Sequence, residues 1–94
     1  MIGMESVVRL APKARLRFDR HAQKYMILYP ERGLVLSPTA ADIVTLCVEA
    51  KRVSAIVDSL VDKYGAAQRE AIARDVVEVL QGLADRGLVA EVPA

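Results

Sequence analysis

The chain holds one histidine and one cysteine, and neither stands where chemistry is easily done. His21 falls between two stretches of strand-like alternation, in a segment with the polarity of a turn. Proton transfer needs a partner within hydrogen-bond reach, and a lone turn histidine is ordinarily just solvated. Cys47 is flanked by Val44, Leu46 and Val48. A nucleophilic thiol needs an electropositive, accessible setting, so Cys47 reads as a small buried hydrophobe. One cysteine allows no internal disulfide and no multi-cysteine metal site. The sequence has no phosphate loop, no paired-glycine dinucleotide fingerprint and no metal-ligand spacing. The expectation is a protein that is not an enzyme, with no cofactor and no metal.

Two features invite a partner instead. A short apolar stretch, Leu34-Val35-Leu36, closes a run of three strands. An open sheet edge there offers unpaired N–H and C=O groups to an extended peptide. The second feature is a wide apolar arc on the last helix. Its main stripe is Ile72, Val76, Val79, Leu80 and Leu83, and Ala73, Val77 and Ala84 extend it sideways. The plainer alternatives are that the whole arc is core, and that residues 88–92 or a second copy of the chain cover the edge.

The elements that position these features are legible from periodicity. Residues 15–20 alternate polar and apolar, with Leu16 and Phe18 expected inward. Residues 24–29, rich in aromatic and branched side chains, make a second strand. Pro30-Glu31-Arg32-Gly33 has turn chemistry, and 34–36 follow as a third strand. Ser37-Pro38 starts a helix, with Ser37 as N-cap and Pro38 at the first position. Ile43, Leu46, Cys47 and Ala50 mark its apolar face, and Lys51-Arg52 suit its end. Val53, Ile56, Val57, Leu60, Val61 and Tyr64 mark one face of a second helix, stopped at Gly65. A third helix runs from about Gln68 to Arg86 and ends at Gly87. Residues 88–92 form a last short strand or an extended tail. The expectation is an α+β domain: a three-stranded antiparallel sheet followed by three helices, winged helix-turn-helix-like. Residues 1–94 make one domain, with 1–8 and 93–94 flexible.

Composition bounds the class. Ninety-four residues make one small domain. An apolar share of 53% supports a core, and 4% aromatics leave the packing to Leu, Val, Ile and Ala. The net charge of +1 argues against binding nucleic acid by bulk electrostatics. Residues 1–36 hold seven Lys and Arg against three acids, a net of +4, and residues 37–94 hold six against nine, a net of −3. No apolar run approaches the roughly 20 residues that span a membrane. No export signal is visible at the start, so a soluble cytoplasmic domain is expected.

The ordered set Arg15-Leu16-Arg17-Phe18-Asp19, Tyr25-Met26-Ile27-Leu28-Tyr29-Pro30-Glu31, Leu36-Ser37 and Thr39-Ala40-Ala41-Asp42-Ile43 resembles the PqqD family. The likeness continues through Leu46-Cys47, Tyr64-Gly65 and Leu83-Ala84-Asp85-Arg86-Gly87-Leu88. "Leu-Tyr-Pro-Glu" is its most telling part. The family often has Trp where Phe18 and Leu88 stand, and Asp-Gly after the cysteine where this chain has Val48-Glu49. The resemblance implies a peptide chaperone of pyrroloquinoline quinone (PQQ) biosynthesis. It would bind the precursor peptide PqqA and present it to the radical SAM enzyme PqqE. It further implies that the peptide pairs with the third strand and packs on the third helix. Leu34, Val35 and Leu36 would then supply the backbone ladder, and Ala73, Val76, Val77 and Leu80 the apolar wall. The basic residues Arg15, Arg17, Arg20, Lys24 and Arg32 either pair with acids on peptide or enzyme or form a solvated strand face.

Two other functions fit the same elements. A DNA-binding winged helix would use Arg69, Arg74 and Arg86 of the third helix, but Glu70, Asp75, Glu78 and Asp85 on that helix repel phosphates. A structural module would dimerise through the open edge. Monomer and homodimer are both compatible with the sequence.

Overall fold

Alternation decides the central hairpin. Arg15–Asp19 (β2) pairs antiparallel with Lys24–Tyr29 (β3), and β3 pairs with Arg32–Val35 (β4). Ile27, in the middle strand, is fully buried. Its cross-strand neighbours are Leu16 and Leu34, so these three share the inner face. The computed structural model describes residues 1–30 and 32–93. Glu31, in the expected turn, and Ala94, at the expected frayed end, lie outside the described residues.

The helices follow their capping signals. Pro38–Thr45 (α1) begins at Ser37, whose hydroxyl accepts the N–H of Ala40 at 3.2 Å. Val53–Tyr64 (α2) buries Val53, Ile56, Val57, Leu60 and Val61, the stripe expected from its spacing, while Tyr64 stays exposed. A 3-10 turn at Ala66–Gln68 leads into Arg69–Asp85 (α3), which buries Val76, Leu80 and Leu83. No helix among the described residues is long and apolar enough to cross a membrane.

The order of elements corrects the expected plan of strands followed by helices. A second antiparallel sheet is built from Val7–Leu10 (β1), Lys51–Arg52 (β5) and Val89–Val92 (β6), in the order β5-β1-β6. Strands therefore precede, interrupt and follow the helices. Lys51 and Arg52 were expected to end the first helix. They pair instead with Val8 and Val7, and α1 stops at Thr45. The cause is visible at Cys47, whose carbonyl accepts the N–H of Leu10 at 2.8 Å and draws the chain toward β1. Residues 88–92 take the strand alternative but pair with β1, so they do not cover β4.

Residues 1–8, expected to be flexible, have defined contacts. Val8 is fully buried and Ile2 nearly so. Ser54 donates its N–H to the Met4 carbonyl at 3.0 Å, and Val53 donates to that of Ser6 at 2.8 Å. Ile2, Val8, Leu10, Ile27, Ile43, Ile56, Leu80 and Val89 belong to one apolar core, so both sheets and all three helices share it.

Candidate peptide-binding site

β4 is last in the order β2-β3-β4, and among the described residues no strand covers its far side. The ladder shows which backbone groups are free. Leu36 donates its N–H to the Tyr25 carbonyl at 2.9 Å. Hydrogen-bonded and non-hydrogen-bonded pairs alternate along an antiparallel ladder. Counting back, Ile27–Leu34 and Tyr29–Arg32 are bonded pairs, and Met26–Val35 and Leu28–Gly33 are not. The backbone groups of Gly33 and Val35 therefore point to the open edge. Leu34 and Leu36 use theirs on β3. Of the expected ladder residues only Val35 has free groups, and Gly33 was missed. The signal that finds Gly33 is the parity of the ladder, which needs one known hydrogen bond to set its phase.

Side chains divide the same way. Val35 is 53% exposed, Leu34 is half-buried, and Leu36, one residue beyond the strand, is buried. On α3, Val76 and Leu80 have no exposed surface and belong to the core. Ala73 and Val77 are half-buried and line a shallow apolar hollow with Met1, Ile2 and Met4.

The end of α3 nearest β4 is marked by Arg86, which shares a small hollow with Tyr29 and Arg32. At about 100° per residue, Val77 lies roughly half a turn round the helix from Arg86. Val79, half-buried, lies within roughly 20° of it on the same count. The structure thus brings Leu34 and Leu36 into one core with Val76 and Leu80, but turns Ala73 and Val77 toward the N-terminal segment. Val79, which the sequence placed on the main stripe, is half-buried and lies on the same side of α3 as Arg86, with half-buried Ile72 roughly 40° away.

The groups with chemical potential are quiet. Cys47 is fully buried, and burial pushes its thiol up to about 11, away from thiolate at neutral pH. His21 is exposed, and its backbone N–H donates to Asp19 Oδ1 at 2.9 Å. No group of three or more His, Cys, Asp or Glu among the described residues is arranged to hold a metal. Asp42 accepts from Lys63 Nζ at 3.2 Å and from the Tyr64 hydroxyl, tying α1 to the end of α2. The hydrogen bond to Asp42 holds the Lys63 ammonium above its ordinary range. This exposed cluster borders an apolar notch formed by Ile43, Leu60, Ile72 and Val76.

Comparison with known proteins follows the same line. The family described as coenzyme PQQ synthesis protein D (PqqD) matches residues 24–89. A PqqA binding protein of Rhodopseudomonas palustris (strain BisB5) is 49% identical over 78 residues, covering 83% of this chain and 76% of the relative. The PqqA binding protein of Methylococcus capsulatus (strain Bath) is 36% identical over 90 residues, covering 96% and 94%. A solution NMR structure of the PqqD truncation of Methylobacterium extorquens PqqCD aligns with a TM-score of 0.81 at 30% identity, over 96% of this chain and 95% of that one. That protein is described as a functional, stand-alone recognition element for ribosomally synthesized and post-translationally modified peptides.

Proposed function

The chain belongs to the PqqD family, and from that premise we propose that it binds the precursor peptide PqqA in PQQ biosynthesis. Binding adds the peptide as a strand along β4. The observation that carries this reading is the open edge, where Gly33 and Val35 direct backbone groups to solvent beside an apolar floor of Leu34 and Leu36. Main-chain hydrogen bonds would give affinity, and alternate peptide side chains would meet the Leu34 face. Two relatives named PqqA binding protein, at 49% and 36% identity, support the choice of peptide.

The finer parts of the reading follow from the same premise. The protein acts as a carrier without turnover, in the cytoplasm, and hands the peptide to the radical SAM enzyme PqqE. The whole chain works as one peptide-binding domain, with the hairpin sheet and three helices in a winged helix-turn-helix-like layout. On α3 the helical wall is supplied by Val79 rather than Val77, because of these two Val79 is the one that shares the side of Arg86. Arg32 and Arg86 flank the start of the edge and favour an acidic residue on the peptide there. Calorimetric titration with synthetic PqqA tests the proposal. Saturable one-to-one binding is the expected result, and absence of heat and of amide chemical-shift change would contradict it.

A further inference from the structure

Two hollows lie along the side of α3 that carries Val79, one toward each end of β4, and they carry opposite charge. The one at the start of β4 is lined by Tyr29, Arg32 and Arg86, and among the described residues no acid lines it. The other is the notch between α1, α2 and the first two turns of α3. Its floor is apolar: Ile43, Leu60 and Val76 are buried and Ile72 is half-buried. Asp42 and Asp75 complete its lining, and among the described residues no cation does.

The fold puts the two hollows in line. α1 begins at Pro38, just past the end of β4 at Val35, so a notch against α1 belongs to the far end of that strand. α3 therefore runs antiparallel to β4, with its last turn beside Arg32 and its first turns beside α1. Asp75 and Arg86 are about three turns apart, so they stand within roughly 20° of each other on one side of α3 and roughly 16 Å apart along it. Val79 lies between them on that side. An acid, a branched apolar residue and a base thus follow one line.

The two carboxylates of the notch are not equivalent. Asp42 is engaged, with Lys63 Nζ 3.2 Å from one oxygen and the Tyr64 hydroxyl donating to the other. Asp75 is exposed and takes part in no ion pair among the described residues. The cavity measures about 240 Å³, below the roughly 300–1,000 Å³ of small-molecule pockets, so it suits one long side chain rather than a free metabolite. An apolar floor beside an unpaired carboxylate matches a side chain with an apolar stem and a cationic head. Lys and Arg lay such stems on apolar surface and keep the charge in water.

We infer that the notch is a side-chain subsite of the peptide groove and takes a Lys or Arg of the bound peptide, its stem on the apolar floor and its head at Asp75. The inference rests on the peptide-binding reading and deepens it, because the groove then has a direction. A strand rises roughly 3.3 Å per residue, so the basic residue stands about five positions from the acidic residue favoured by Arg32 and Arg86. A peptide laid the other way brings like charges together at both ends and is rejected.

The test titrates Asp75→Asn and Asp75→Lys with PqqA, and with PqqA peptides in which each Lys or Arg is replaced in turn by norleucine. Asp75 is exposed, so both variants should keep the fold, which circular dichroism checks. An exposed ion pair is modest, so Asp75→Asn should lose about two- to fivefold in affinity and Asp75→Lys at least tenfold. One norleucine peptide should lose the same factor as Asp75→Asn on wild type and nothing further on Asp75→Asn, the mark of a direct contact. Wild-type affinity in Asp75→Lys overturns the inference, as does a loss that couples to no norleucine peptide. If Asp75→Asn spares PqqA but weakens self-association in sedimentation, the notch belongs to a second copy and the inference falls. A wild-type chain that binds no PqqA overturns the peptide reading itself, and Val35→Pro tests the edge without touching the notch.

Discussion

Ile2 donates its backbone N–H to the Gln81 side-chain oxygen at 2.9 Å, across 79 positions of sequence. This bond lays the first residues along α3, over the side that carries Ala73 and Val77. It also explains why that side of the helix is poorly placed to line the β4 edge.

Ile2 also buries its side chain there, and trimming that side chain should cost stability and spare binding. Ile2 is 4% exposed, and Ile2→Ala should lower unfolding free energy by about 2 kcal/mol, the low end for a buried Ile at a site that can partly collapse. Affinity for PqqA should stay within twofold. Urea denaturation and calorimetric titration of the same variant check both halves.

Carboxylates placed on α2 and α3 separate core from groove. Val57→Asp, on the core stripe of α2 with no exposed surface, should destabilise by several kcal/mol, about 3 or more. Val77→Asp should keep the fold and bind PqqA within twofold of wild type. Val79→Asp should weaken PqqA at least tenfold. The reverse order for positions 77 and 79 would return the wall to the Val77 side.

Cys47 makes stability fall at high pH. Its thiol is raised from 9.0 to about 11 in the fold, so between those values the unfolded chain loses a proton that the native chain keeps. Its contribution is complete below pH 9 and is lost as pH rises through 11, on the order of 2–3 kcal/mol in all. Denaturant midpoints of wild type and Cys47→Ala across that window should diverge in slope, with wild type falling faster. At neutral pH the folded thiol should resist disulfide exchange with small aromatic disulfides.

Gly87 closes α3 with φ of 75°, a backbone conformation in which a side chain is strained. Gly87→Ala should cost about 1 kcal/mol. Its melting temperature should drop while the far-ultraviolet spectrum is unchanged.

Most of the fold was written in local pattern. The alternation at 15–19 and 24–29 and the stripe of α2 each became the element they suggested. What escaped was non-local. Lys51-Arg52 have the charge of a helix end, and only the unpaired edge of β1 makes them a strand. Val7–Leu10 is four residues long, too short for alternation to declare it. At the site, sequence located the edge strand within two residues, but not the phase of its ladder or the rotation of α3. Both depend on how elements meet, which is why Gly33 was read as part of the turn and the side of α3 on which Val77 lies was not legible.

The central claim is that PqqA adds to the free edge of β4, and Val35→Pro tests it most directly. Proline removes the Val35 N–H, which points to the open edge and takes no part in the β3 ladder. Its fixed φ suits an edge strand. Titration with PqqA should show saturable one-to-one binding for wild type and at least a tenfold loss for Val35→Pro, with the melting temperature little changed. Wild-type affinity in a folded Val35→Pro would contradict the account, because the peptide would then be held without that ladder.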